Sequence, residues 1–183
     1  LNLNAVTLAN AGAYHVVITG TCNTVTSSCA TLVVNSPITI SAQPASVDIC
    51  LPLNTASFSV TAAGTGITYQ WQVNDGSGFT NISTGGNAAT LNLTNITANM
   101  NGYLYRVVLN GTCTNNLNSA AATLAVNSPV NITTHPQNVL SCAGSATSFN
   151  VIATGSTITY QWQVSINGGP FVNVANNAPF SGA

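Results

Sequence analysis

Thiols are the one kind of reactive side chain this sequence holds in number, at Cys22, Cys29, Cys50, Cys113 and Cys142. A cysteine can ligate metal, attack as a nucleophile or pair as a disulfide, and its neighbours decide which. Cys22 and Cys29 have no second Cys or His pair at zinc-binding spacing, so no metal site is expected. His15 and His135 have no acidic residue near them in sequence, which argues against catalysis or metal binding by either. Asp48 and Asp75 stand on separate segments and Glu is absent. Paired carboxylates for glycoside hydrolysis and an Asp-x-Asp calcium loop are therefore both missing. No glycine-rich phosphate loop leads into a helix. The expectation is a non-catalytic chain with no catalytic residue, no metal and no cofactor.

Charge narrows the partners. Only 2% of the 183 residues are charged, namely Arg106, Asp48 and Asp75, with no Lys and no Glu. Globular chains carry roughly a quarter. One Arg cannot meet a run of phosphates or hold an anionic lipid surface, so no nucleic acid and no direct membrane insertion are expected. No apolar run approaches the length of a membrane span. The hydrophobic share of 45% is ordinary, so a core can form beneath a surface of Asn, Thr, Ser, Gln and Gly. Five cysteines in such a chain point to an oxidising compartment and an extracellular or cell-surface location. The triplets at Asn81, Asn92, Asn95, Asn110 and Asn131 fit the N-glycosylation pattern, but a chain this rich in Asn and Thr makes such matches by composition.

The elements that position these residues are set by a repeat. Ile67-Thr-Tyr-Gln-Trp-Gln-Val73 returns unchanged as residues 158–164, 91 positions later. Strict alternation places Tyr69, Trp71 and Val73 on one face of a strand and Gln70 and Gln72 on the other. Val60 and Val151 each lie 11 residues ahead of their Trp, Trp71 and Trp162. Asn10-Ala-Gly-Ala-Tyr-His-Val16 and Asn101-Gly-Tyr-Leu-Tyr-Arg-Val107 put Tyr14 and Tyr105 two residues before Val16 and Val107.

At these residues the chain resembles the immunoglobulin superfamily, whose third strand carries a core Trp and whose sixth opens Asp-x-Gly-x-Tyr-x-Cys. The resemblance implies that Val60 and Val107, and likewise Val151 and Val16, stand where the central disulfide would be, with apolar packing on the Trp in its place. A closer resemblance is to the tandem Ig-like repeats of very large secreted surface proteins of Bacteroidota, including gliding-motility adhesins and type IX-secreted repeat proteins. It rests on Leu140-Ser-Cys-Ala-Gly144, Tyr69-Gln-Trp-Gln-Val73, Asn101-Gly-Tyr-Leu-Tyr-Arg106, Gly111-Thr-Cys113 and Ala122-Thr-Leu-Ala-Val-Asn127. It implies an all-β chain of tandem Greek-key sandwiches of about 90 residues each, forming a beaded rod or filament. It also implies a structural or adhesive role in a surface fibre, with neighbouring repeats or copies of the chain as partners. The alternatives are a module binding surface glycans or proteins, and an accessory segment of a secreted hydrolase.

Strands are expected at 1–6, 14–19 and 30–34, then at 38–41, 56–62, 68–73, 79–82, 91–93, 103–110 and 121–126. Asn35-Ser-Pro37 and Asn127-Ser-Pro129 are linkers, since Pro cannot donate to a ladder. The organisation expected is the C-terminal part of one domain at 1–34, a complete domain at 37–126 and the N-terminal part of a further domain at 129–183. Either the chain is two repeats of a continuous series, or each chain is a subunit completed by the next.

On that frame a Cys50–Cys113 disulfide is expected, 63 positions apart and near one end of the sandwich. Such a loop closure contributes about 3–4 kcal/mol. Cys142 has the same relation to Cys22 when the end of the chain is joined to its start. Cys29 is left unassigned, and a Cys22–Cys29 pair is the competing connectivity.

Overall fold

The computed structural model describes residues 1–176. The final part of the expected 129–183 segment, residues 177–183, lies outside them. The fold is all-β: among the described residues the only helical pieces are single 3-10 turns at Leu8–Asn10 and Ala98–Met100. The chain divides into two compact units. One holds Leu1–Ile49 and Leu53–Val126, the other Cys50–Pro52 and the chain from Asn127 on.

The first unit begins with a twisted antiparallel ladder. β1 (Gly12–Tyr14) pairs with β4 (Ala30–Leu32), and β2 (Val17–Thr19) with β3 (Thr24–Thr26). The expected strand at 1–6 does not form. In the central sandwich the equivalent stretch, Thr90–Leu93, is held by a strand of the facing layer, and residues 1–6 have no such partner.

The central sandwich follows: β5 (Thr39–Ala42), β6 (Val47–Cys50), β7 (Ala56–Ser59), β8 (Thr61–Ala63), β9 (Thr68–Asn74), β10 (Phe79–Asn81), β11 (Thr90–Leu93), β12 (Leu104–Gly111), β13 (Thr114–Asn118) and β14 (Ala122–Asn127). One sheet runs β10-β9-β12-β14-β6, with β13 continuing beside β12. The facing layer is β11 on β7 and β5 on β8. β7 and β8 are one expected strand divided at Val60, whose N–H donates to Ala89 O at 3.0 Å and so carries the β7–β11 register one residue further.

The core sits in this sandwich. Trp71, Val107, Leu109 and Leu124 are fully buried, with Phe58, Leu91, Tyr105 and Ala122 at 1% exposure. Alternation along β12 and β14 sends every second side chain inward. The register sets Val107 opposite Trp71. Phe58 stacks on Tyr105 with ring centroids 4.8 Å apart and tilts against Trp71 at 6.4 Å. Val60 is buried as well, at 5% exposure, so the four central positions carrying the resemblance (Val60, Trp71, Tyr105, Val107) all belong to the apolar core.

The second unit restarts the pattern with β15 (Asn131–Thr134), β16 (Ile152–Thr154), β17 (Gln163–Val164) and β18 (Val172–Asn173). β15 pairs with β16 and β17 with β18. Phe149 and Trp162 keep the same 6.4 Å tilted contact as Phe58 and Trp71. The equivalent signature positions outside the central sandwich, Trp162, Val151, Tyr14 and Val16, are less covered than Trp71 and its neighbours. Trp162, Val151 and Tyr14 are half-buried and Val16 is 53% exposed. Strands corresponding to β11, β12 and β14 are absent from the described residues of the second unit. The first ladder likewise lacks a Trp-bearing strand, so each set has only part of its cover.

Candidate functional site: the linker clasp and the cysteines

No group of three or more His, Cys, Asp or Glu among the described residues is placed to hold a metal ion. The side chains with built geometry lie at the linkers and along the outward face of the Trp-bearing strand.

At the first linker, Ser36 N donates to Thr65 Oγ1 at 2.9 Å and Thr65 N donates back to Ser36 O at 3.1 Å. The turn holding Thr65 is fixed in its turn to β12 and the residue after it, because Thr112 N donates to Thr65 O at 3.1 Å. Ile38 N donates to Thr114 Oγ1 at 2.9 Å. Gly64 permits the approach: a Cβ there would stand 2.9 Å from Ile38 Cα. The second linker repeats the device. Ser128 N donates to Ser156 Oγ at 2.9 Å, Ser156 N donates to Ser128 O at 3.1 Å, and a Cβ on Gly155 would meet Val130 Cα at 2.9 Å. Reciprocal hydrogen bonds plus a glycine contact make each Asn-Ser-Pro linker a pinned segment at its entry to the following repeat. The clasp was missed in the sequence. Its signal was present in the Gly-Thr and Gly-Ser pairs that follow the second strand at Gly64-Thr65 and Gly155-Ser156.

The two glutamines of the repeated heptad also act twice. Gln70 Nε2 donates to Trp71 O and Ile82 O, both at 2.9 Å; Gln161 Nε2 donates to Trp162 O and Val174 O, both at 3.0 Å. Gln72 Nε2 donates to Asn81 Oδ1 at 2.8 Å, and Gln163 Nε2 to Asn173 Oδ1 at 2.9 Å. These bonds tie the Trp strand to the segment that follows it. Trp71 Nε1 donates to Ala88 O at 2.8 Å, which satisfies the indole in the core. Arg106 faces outward, as alternation requires. Its Nε donates to Gln72 Oε1 at 2.9 Å and its guanidinium lies 3.9 Å over the Phe79 ring. In the next turn, Ser77 Oγ and Ser77 N donate to Asp75 Oδ1, and these bonds hold the Asp75 carboxyl below its ordinary value. Burial pushes the Tyr105 phenol up to about 12.

His15 and His135 are exposed. His15 Nδ1 lies 3.9 Å from Cys29 Sγ, and Gln137 Nε2 donates to His135 O.

All five cysteines are free and exposed, and the expected Cys50–Cys113 bond is corrected by topology. β14 runs antiparallel to β12, with Thr123 opposite Leu104. β6 climbs beside β14 in the same direction: Thr123 N donates to Ser46 Oγ, and farther along Leu51 N donates to Asn127 O. Cys50 therefore stands beyond the start of β12, whereas Cys113 follows its end. At about 3.4 Å per residue the two are on the order of 30–40 Å apart. A disulfide needs Cα atoms within about 7 Å. The Cys22–Cys29 alternative fails similarly. Cys22 is in the turn beyond β2 and Cys29 precedes Ala30, which faces Tyr14, so the length of the β2–β3 ladder separates them. The Cys142–Cys22 relation concerns the Cys22 of a following copy; within the single chain both thiols are free. Cys113 Sγ instead lies 3.6 Å from Asn35 O, in the linker.

The comparisons agree with this architecture. Residues 38–128 match the model of a family described as a domain of unknown function, DUF8696, a span that coincides with the central sandwich. No curated protein matches the sequence. Among solved structures, the chain is similar to Sidekick-1 immunoglobulin domains 1–5 at TM-score 0.55 and 19% identity, covering 87% of this chain and 36% of that one. It is similar to the titin I-band fragment I67–I69 at 0.54 and 15%, covering 92% and 64%. It is similar to Drosophila OTK extracellular domains 3–5 at 0.52 and 18%, covering 96% and 58%. The chain spans between about a third and just under two thirds of the length of these structures. At such identities the likeness is one of fold, and the fold is the immunoglobulin-like β-sandwich.

Proposed function

We propose that the chain is a structural and adhesive segment of an extracellular surface protein, built as consecutive Ig-like repeats and without catalytic activity of its own. Its organisation on this reading is the end of one repeat at 1–34, a complete repeat at 37–126 and the start of another at 129–183. The observation that carries the reading is the linker clasp built twice: Ser36 with Thr65, and Ser128 with Ser156. A linker pinned in the same way at successive repeats serves a series whose joints must hold, and adds nothing to a pocket or a catalytic centre. Solved structures of similar fold that are themselves runs of Ig domains support it. The resemblance to repeats of Bacteroidota surface proteins supports a bacterial fibre or adhesin stalk, and the surface without Lys or Glu suits a protein working outside the cell. Neighbouring repeats or further copies are the partners, with surface glycans or proteins as what the fibre engages.

Two measurements test this. An antibody to the 183-residue chain is expected to label intact, unpermeabilised source cells or their shed fibres. The native protein, reduced and denatured, is expected to run far above 18.5 kDa. Labelling confined to the cell interior would overturn the reading.

A further inference from the structure

The cysteine ahead of the second strand and the cysteine after the sixth recur in both repeats, as Cys50 with Cys113 and as Cys142 with Cys22. The fold places Cys50 and Cys113 at opposite ends of the central sandwich. Cys113 is at the entry end, its sulfur 3.6 Å from Asn35 O in the linker from the preceding repeat. Cys50 is at the exit end, followed by Leu51, whose N–H donates to Asn127 O where the next linker begins. Cys22 occupies the turn after β2 as Cys113 occupies the turn after β12, so the entry-end position is built the same way in two repeats. Cys142 sits in a turn whose Ser145 N donates to Cys142 O. All four thiols are exposed.

From this placement we infer that the disulfide of this repeat series joins consecutive repeats rather than closing one. The exit-end cysteine of each repeat bonds the entry-end cysteine of the repeat that follows, across the Asn-Ser-Pro linker. The inference rests on the reading of the chain as repeats in series in an oxidising compartment. Each bond forms by thiol–disulfide exchange. Two thiols lose two protons and two electrons to give one S–S bond, and a disulfide oxidant such as oxidised glutathione is reduced to two thiols.

The test uses the 183-residue chain alone and two copies joined end to end, refolded with oxidised and reduced glutathione. Free thiols are alkylated and cross-linked peptides are mapped by mass spectrometry. In the single chain, Cys50 and Cys113 are expected to stay reduced and be alkylated. In the joined chain, two cross-links are expected: Cys50 to Cys22 of the second copy, and Cys142 to Cys113 of the second copy. Cys50→Ser removes the first and leaves the second. A Cys50–Cys113 cross-link in the single chain, or a Cys142 to second-copy Cys22 cross-link in the joined chain, overturns the inference. So do thiols that remain free in a joined chain whose tryptophan fluorescence reports folding; that result leaves the repeat reading standing. A joined chain whose junction domain fails to bury its Trp162 counts against the repeat reading itself.

Discussion

At Trp71 the chain concentrates its packing. The indole is fully buried, its Nε1 is satisfied by Ala88 O, and Val107 faces it across the ladder. Trp71→Ala is expected to cost about 3–5 kcal/mol, read as a lower denaturation midpoint. Trp162→Ala in the same chain should cost much less, because Trp162 is only half-buried. Tyr105 gives a pH signature. Its phenol is raised from 10.0 to about 12 because burial disfavours the phenolate. The stability it contributes is fully present below about pH 10, where the unfolded chain also holds the proton, and is lost as pH rises toward 12. Phenolate absorbance should show Tyr105 ionising late, together with unfolding. A Tyr105 phenolate that forms near pH 10 in the folded protein would contradict this. These central residues were legible in the sequence because a buried strand face writes itself as strict alternation. Val16 was equally legible as a core position and is exposed, because alternation reports which face a side chain takes and not whether anything covers that face.

Among the elements, the strands of the sandwich that pack on Trp71 were all readable, and two others were not. β6 is short, carries Asp48, and pairs along the side of β14, so it lacks a run of alternating apolar residues. β13 reads Thr-Asn-Asn-Leu-Asn and is held by its hairpin with β12 rather than by burial. Missing β6 had a consequence for the cysteines. That strand carries the chain from the entry end of the sandwich to the exit end, and without it Cys50 is set beside Cys113. The clasp turn makes a further prediction. Thr65→Ala removes the acceptor for Ser36 N and should cost about 1 kcal/mol. Gly64→Ala drives a methyl into the backbone at Ile38 and should cost about 1–3 kcal/mol. Both are read from denaturant midpoints, and an alanine tolerated at Gly64 without loss would mean the turn is loose rather than clasped.

For the whole molecule, the near absence of charge sets the behaviour. With three charged side chains in 183 residues, long-range electrostatics contribute little, and the melting temperature is expected to change little between low and physiological salt. Arg106 is the single trypsin site. It lies inside β12, its guanidinium engaged by Gln72 and Phe79, so cleavage should wait for unfolding of the central sandwich. Proteolysis at rising denaturant checks this, and rapid cutting of the native chain would contradict it. The side-by-side, same-direction run of β6 and β14 has a mechanical consequence. The chain enters the central sandwich at the end marked by Ser36 and Thr65 and leaves it at Asn127. A load applied along the chain therefore slides β6 and β14 past each other. Their cross-connections are strained in shear and share the load together, whereas a hairpin pulled from its open end would peel one bond at a time.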